Sequence, residues 1–368
     1  MLKINILSDR FATQNTCAFL GPLLVHGRAI RESGYDIRIH FAIEPALREC
    51  DVLVVNSNYF WNDPSQDRSD QATEVIAELA DAASCLLFFD RSSTAASVAV
   101  DVLPFVTRYY KTSLLRDRAH YLRPLYGVRL FADYYHRQTG VSDEESNCSV
   151  PVSDAKHLAK LRLSWNTSLA NYSLLGPRLA TLCRYVPLAF LMRPTGHFEP
   201  PSASRPLGVS CRINTAYRRN TVAHQRKLMA NLLGDYCSSD RIGKLAYVRE
   251  LRRSRVVLSP FGYSEINYKD YETFLAGAVL MKPDMSHLET YPDLFQPETT
   301  FVPHSWDLDD TVRRLEEVLQ DYDRYIDIAR AGQEAYRAHI VGREARDRFV
   351  TYLSQLVTEA LHEPRPQT

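Results

Sequence analysis

The feature that most constrains this chain is the stretch RVVLSPFGYSEINYKDYETFLAGAVLMK, Arg255 to Lys282, which reads as strand, loop, helix, strand. Arg255 to Leu258 is a β-branched run that stops at Ser259-Pro260, because proline has no N–H to give a sheet ladder. Phe261-Gly262-Tyr263-Ser264 is a loop, with glycine where the backbone must approach closely. Ile266 to Ala276 has helical spacing, with Phe274 and Leu275 inward and Gly277 at the stop. Ala278 to Met281 is the next buried strand, closed by Pro283. Such a unit sets a helix N-terminus in a crevice at the carboxyl end of a parallel strand, where free N–H groups and the helix dipole favour anions. Glu265, Asp270 and Glu272 lie in the same stretch. Carboxylates beside an anion site suit a ligand with phosphates and hydroxyls, such as a nucleotide-sugar.

The remaining sequence repeats the strand–helix alternation. Ile4–Leu7, Tyr35–Phe41, Asp51–Val55 and Cys85–Phe89 read as strands, with helices over Cys17–Ser33 and 68–83 between them. That alternation predicts a parallel sheet, with ligands bound beyond the carboxyl ends of its strands. The tips Ser8-Asp9-Arg10, Asn56-Ser57-Asn58 and Asp90-Arg91-Ser92-Ser93 are therefore expected to line one cleft. Residues 101–140 interleave tyrosines with basic residues. A polyanion would suit such a surface, but tyrosines at a sheet edge or interdomain face explain it more simply. Residues 141–157 read as an exposed polar loop, and 155–163 as helix-like.

Pro187, Pro194, Gly196, Pro200, Pro201 and Pro206 then mark a stiff linker. Beyond it, Leu207–Cys211 and Thr300–Val302 are strands, and Thr221–Leu233, Ile242–Ser254 and Leu308–Leu319 are helices. Phe349, Tyr352, Leu353, Leu356, Val357 and Ala360 keep helical spacing at the end. The expected organisation is a first α/β domain over 1–190, a linker over 191–206 and a second α/β domain over 207–340. A terminal helix is expected over 341–368.

With 368 residues the chain is long enough for two domains. Its 44 basic and 44 acidic residues cancel, so no global field draws it to nucleic acid or membrane. The seven cysteines are scattered with no C-x-x-C, which points to a reducing compartment and away from zinc-finger or dithiol chemistry. No signal-peptide pattern opens the sequence, and no apolar run reaches the ~20 residues that span a bilayer. The expectation is a cytoplasmic protein with at most peripheral membrane contact.

The segment SPFGYSEINYKDYETFLAG, Ser259 to Gly277, resembles the donor-site segment of bacterial group-1-type glycosyltransferases with the GT-B fold. The resemblance implies two Rossmann-like domains facing a central cleft, 1–190 on the acceptor side and 207–340 holding the nucleotide-sugar, with the terminal helix over 341–368 packing back on the first domain. The family's ribose-binding Glu stands five residues before the Gly of its A-G, the place of Glu272 relative to Gly277. An earlier Glu, common in that branch, would fall on Ser264, so Glu265 is one residue out of step. By the same resemblance Lys269 and Arg212 receive the leaving diphosphate, and one of Arg218, Arg219 and Arg226 is a second phosphate contact. The backbone around Gly262, Tyr263 and Ser264 lines the donor. Each has an ordinary alternative: an acid in a first helical turn is favoured by the dipole anyway, and arginines near a helix start form solvated faces.

An inverting reaction needs a base from the first domain. Asp90 is the first candidate, followed by Asp9 and His26; His287 and His304 read as structural. G-x-S-x-G, H-E-x-x-H, G-x-x-x-x-G-K-[ST] and G-x-G-x-x-G are all missing, which disfavours hydrolases, zinc proteases, P-loop kinases and dinucleotide dehydrogenases. No D-x-D stands near the first-domain strand ends, so transfer without a metal is expected, with no cofactor beyond the nucleoside-diphosphate sugar as co-substrate. The reading is hexosyl or related transfer to a hydroxyl of a saccharide or glycolipid acceptor, in surface polysaccharide or glycolipid synthesis, with closure about the 187–206 linker. A nucleotide-sugar epimerase or hydrolase, or a non-catalytic nucleotide-sugar binder, would share the fold.

Overall fold

A computed structural model describes residues 1–61, 71–145, 147–185 and 189–363. The start of the helix expected over 68–83 and Pro187 of the linker lie outside them; the described helix is Ala72–Ala82. Strands β1 (Leu2–Leu7), β2 (Tyr35–His40), β3 (Val52–Asn56), β4 (Leu86–Asp90) and β5 (Arg108–Lys111) belong to the first sheet. The short strand β6 (Ser113–Leu115) leaves that sheet, and β7 (Leu161–Leu163) completes it in the order β2-β1-β3-β4-β5-β7, parallel throughout. VLVVN and LLFFD are buried along their whole length, as strands covered on both faces must be.

Three expectations are corrected here. The Arg108–Lys111 stretch is not a sheet edge: it lies between β4 and β7 with Tyr109 and Tyr110 fully buried. Their hydroxyls find partners inside, Tyr109 donating to Asp90 at 2.8 Å and Tyr110 to the Leu356 carbonyl at 2.9 Å. The 155–163 segment is a 3₁₀ turn, Ala155–Lys160, followed by β7. The helix read over Cys17–Ser33 is two, Gln14–Val25 and Gly27–Glu32, broken at His26.

In the second unit β8 (Leu207–Ser210), β9 (Ser254–Leu258), β10 (Val279–Pro283) and β12 (Val302–His304) form a parallel sheet in the order β12-β10-β9-β8. The remaining strand, β11 (Leu288–Thr290), pairs antiparallel with β6 of the first unit. The chain is thus two Rossmann-like units facing one another, the GT-B architecture expected above. The terminal helix Gly342–Leu361 returns to the first unit, placing Phe349, Leu353, Leu356 and Val357 in one apolar cluster with Ile4, Phe19 and Trp165.

The units are fastened as well as faced. One apolar cluster runs from Leu114, Leu115 and Phe131 of the first unit to Val222, Phe261, Tyr271 and Phe274 of the second. Asp143, read as part of an exposed loop, is 7% exposed and accepts from Thr221 N at 2.8 Å, capping helix Asn220–Leu232 from across the interface. The linker lies pinned on the second unit. Buried Arg205 donates to the carbonyls of Leu251, Ser254, Pro200 and Ala276. Glu199 N donates to Leu275 O at 2.8 Å. No helix among the described residues is long and apolar enough to cross a membrane.

Candidate functional site at the interunit cleft

The loop after β9 and the start of helix Tyr268–Ala276 form the second unit's wall. Asn267 begins the helix: its N–H donates to Asp270 Oδ2 at 2.9 Å, and its amide donates to Pro260 O at 2.8 Å. Gly262 is required by this close fold, since a Cβ there would come within 2.7 Å of Asn267 Oδ1. Two arginines hold the loop carbonyls. Arg226 donates to Phe261 O at 2.7 Å, and Arg129, from the first unit, to Tyr263 O at 2.6 Å. Arg226 is therefore a buried brace across which Tyr217 packs, with its ring 4.7 Å away.

Glu265 is completely buried, and neither carboxylate oxygen has a hydrogen-bond partner among the described residues. Burial pushes its carboxyl above the usual range, against the opposing fields of Arg129, Lys282 and Lys111. Lys282 takes the Glu265 carbonyl at 2.8 Å and pairs with Asp270 at 2.6 Å, both side chains fully buried. Below this pair Lys269 points at the strand ends of β8 and β9, donating to the carbonyls of Arg212 and Leu258. Burial pushes its ammonium down.

The other donor-side candidates have protein partners. Glu272 accepts from Lys244 Nζ and, at 2.9 Å, from the Tyr247 hydroxyl. Arg212 is clamped by both oxygens of Glu250, the nearer at 2.8 Å. Burial raises the Glu250 carboxyl, but its bonds with Arg212 and Ser210 outweigh this and hold it low. Arg218 is 91% exposed and reaches only Glu145, at 4.0 Å. Arg219 precedes helix Asn220–Leu232 and pairs with Asp143 at 3.6 Å. Arg212 is thus engaged by Glu250, while Arg218 extends into solvent.

On the first unit, Asp90 is 3% exposed and fully engaged. It accepts from Lys111 at 2.6 Å, Tyr109 at 2.8 Å and Ser92 N at 2.8 Å. Burial pushes its carboxyl up, but the Lys111 ammonium and these bonds outweigh it and hold it below the usual range. Asp90 is an ion-pair anchor rather than a poised base. His26 packs on Phe349, and burial lowers it to about 4. His287 and His304 are lowered to about 4 for the same reason, and neither lines the cleft.

The three strand tips do not line one cleft, as expected above, but join in a polar network. Asn56 donates to Ser8 at 2.8 Å, Asn58 to Thr16 at 2.8 Å, and Arg91 N to Ser57 at 2.9 Å. Asp9, bonded to Thr16 at 2.7 Å, opens with Arg10 onto a separate cavity beside His40 and Glu44.

Between the units lies a cavity of about 320 Å³. Ser264, Asn267 and Tyr268 form one side, and Arg91, Ser92 and Ser93 the other. A shallower space of about 760 Å³ beside Tyr291 and the last two helices is lined by no residue of the Ser259–Gly277 segment. Sequence reasoning missed Arg129, Lys282, Lys244 and Tyr247 as supports of the segment. Arg129 comes from the first unit, Lys244 and Tyr247 from the helix just before the stretch, and Lys282 from its last strand, outside the motif.

No family model matches this sequence, and no curated protein matches it. Similar solved structures include HepE from Anabaena, in complex with UDP and glucose, at 9% identity and a TM-score of 0.43, covering 98% of this chain and 100% of that one. An alpha-glucosyltransferase in complex with UDP-glucose and abasic DNA is 10% identical, with a TM-score of 0.44 over 97% of this chain and 99% of that one. Sucrose-phosphate synthase from Thermosynechococcus elongatus is 11% identical, with a TM-score of 0.44 over 98% of this chain and 99% of that one.

Proposed function

We propose that this protein transfers a glycosyl group from a nucleoside-diphosphate sugar to a hydroxyl acceptor. The observation that carries this reading is the cavity between the units. The donor-like segment opens into it through Ser264, Asn267 and Tyr268, opposite a hydroxyl-rich first-unit wall. The segment supplies a helix start, whose dipole favours a diphosphate. Lys269 lies at the ends of β8 and β9 and would balance the charge of the leaving group, in place of a metal. Glu272 would accept the ribose hydroxyls, oriented by Lys244 and Tyr247. Glu265, fully buried next to the lining residue Ser264, has two oxygens without a partner among the described residues, which a sugar hydroxyl would meet only on a shift of this loop. The acceptor class we favour is a saccharide or glycolipid of a surface polymer, and closure of the cavity would keep water from the donor.

A non-catalytic nucleotide-sugar binder is the second reading. Its support is that no carboxylate or imidazole lines the cavity among the described residues.

The test is a thermal-shift screen with UDP, GDP, dTDP, CMP and ADP, with and without EDTA, followed by turnover of the matching nucleotide-sugar. A single nucleotide should raise the melting temperature, indifferent to EDTA. Glu272→Ala should cut donor turnover by roughly a hundredfold or more, the scale expected when a ligand's anchoring hydrogen bonds to a charged group are lost. Unchanged turnover in that variant would sink the donor-site assignment. Nucleotide binding with no turnover and no free sugar released would favour the binder.

A further inference from the structure

The first-unit wall of the cleft holds a buried cation with no ion pair among the described residues. Arg91 follows β4 directly and is 2% exposed. Its Nη1 donates to Trp165 O at 2.9 Å and to Ser164 Oγ at 3.3 Å, and its guanidinium lies 5.4 Å from the Phe19 ring centre. These contacts fix the group by one corner and one face. Nε and Nη2 are buried and have no hydrogen-bond partner among the described residues. They are the adjacent nitrogens of one guanidinium edge, the edge that meets a carboxylate or phosphate in two parallel bonds.

The field of Asp90 beside it favours the Arg91 cation, but the two form no ion pair. The Asp90 oxygens are taken by Lys111, Tyr109 and Ser92 N, and Arg91 forms no ion pair among the described residues. Leaving buried charged donors unmade is among the costlier things a fold does. The residue nevertheless lines the cavity, next to the hydroxyls of Ser92, Ser93, Thr112 and Ser113.

We propose that Arg91 anchors an anionic group of the acceptor, a phosphate or a carboxylate, while the surrounding hydroxyls bind the sugar or polyol that carries it. The proposal rests on the transfer reading only in placing the acceptor on the first-unit wall. The anion site itself follows from the unpaired edge.

The test uses the full chain, first saturated with whichever nucleoside diphosphate binds, so that added anions do not simply fill the donor site. Glucose 6-phosphate, methyl glucuronide and neutral methyl glucoside are titrated by calorimetry. One of the two anionic sugars should bind at least roughly tenfold tighter than the neutral one, and which one identifies the group as phosphate or carboxylate. Arg91→Gln should erase that preference without weakening the nucleotide, and Arg91→Lys should keep part of it, as a charge without the fork.

Equal binding of all three sugars by the unaltered protein overturns the proposal, even if Arg91→Gln fails to fold. An undiminished preference in Arg91→Gln overturns it too, since the anion then sits elsewhere. Should no nucleotide bind while the anion preference is present and lost in Arg91→Gln, the transfer reading falls and the anion site stands.

Discussion

Glu265 shows how one side chain can be read two ways. Its position in the loop fits both a helix-start residue and a ligand to the donor sugar. The structure removes the first option, because Asn267 and Asp270 make the helix start between them. What is left is a buried carboxyl with no hydrogen bond, whose affinity for protons burial has raised. The sign for stability follows. Below the ordinary value of 4.5 the carboxyl is neutral folded or unfolded, so it brings no penalty. As pH rises through that value the unfolded chain releases the proton first, so stability falls until the folded group ionises too. Glu265→Gln keeps the shape without the charge. Its stability relative to the unaltered protein should therefore improve between pH 5 and pH 8, as read from urea unfolding at both. A gap that moves the other way would mean that Arg129 and Lys282 stabilise the ionised form more than burial disfavours it.

At the scale of elements, the helix Tyr268–Ala276 ends as its sequence says, at a glycine. Gly277 has φ of +63°, and a Cβ there would meet Glu199 O at 2.3 Å and Pro201 N at 2.9 Å. The αL conformation alone makes Gly277→Ala unfavourable by about 1–3 kcal/mol, and the collision with the linker adds to it. Gly243→Ala, where nothing lies within 4 Å, is the matched control and should change urea stability by under about 0.5 kcal/mol. Gly277→Ala should also speed proteolytic cleavage between Arg193 and Arg205, and unchanged cleavage would show that the linker is not held by this contact.

The same elements show what was legible beforehand. β3 and β4 stand out because strands covered on both faces become continuous apolar runs. β5 does not, because Arg108 and Lys111 flank its tyrosines and give it the look of an edge. β6 and β11 are three residues each, too short for any periodicity to show, yet they tie the units together. Within the site, the spacing of Glu272 to Gly277 could be read, but the partners could not. Lys244 and Lys282 reach the segment only when the second sheet and its helices have packed, and Arg129 only when the first unit meets them.

The whole molecule follows from those ties. Two Rossmann-like halves joined by a proline-rich segment suggest a hinge, with each half stable alone. In the structure the linker is bonded down by Arg205, β6 and β11 bridge the halves, and Asp143 of one half caps a helix of the other. Because one apolar cluster runs through both halves, unfolding either would expose the other's core. Calorimetry should therefore show one cooperative transition rather than two. Asp143→Ala removes a helix cap worth about 1 kcal/mol and should lower that single transition by roughly 2 °C without splitting it. Two resolved transitions in the unaltered chain would show that the shared cluster does not couple the halves. A split seen only in Asp143→Ala would instead make that carboxylate the principal fastener, and closure of the cleft would then turn on one interunit cap.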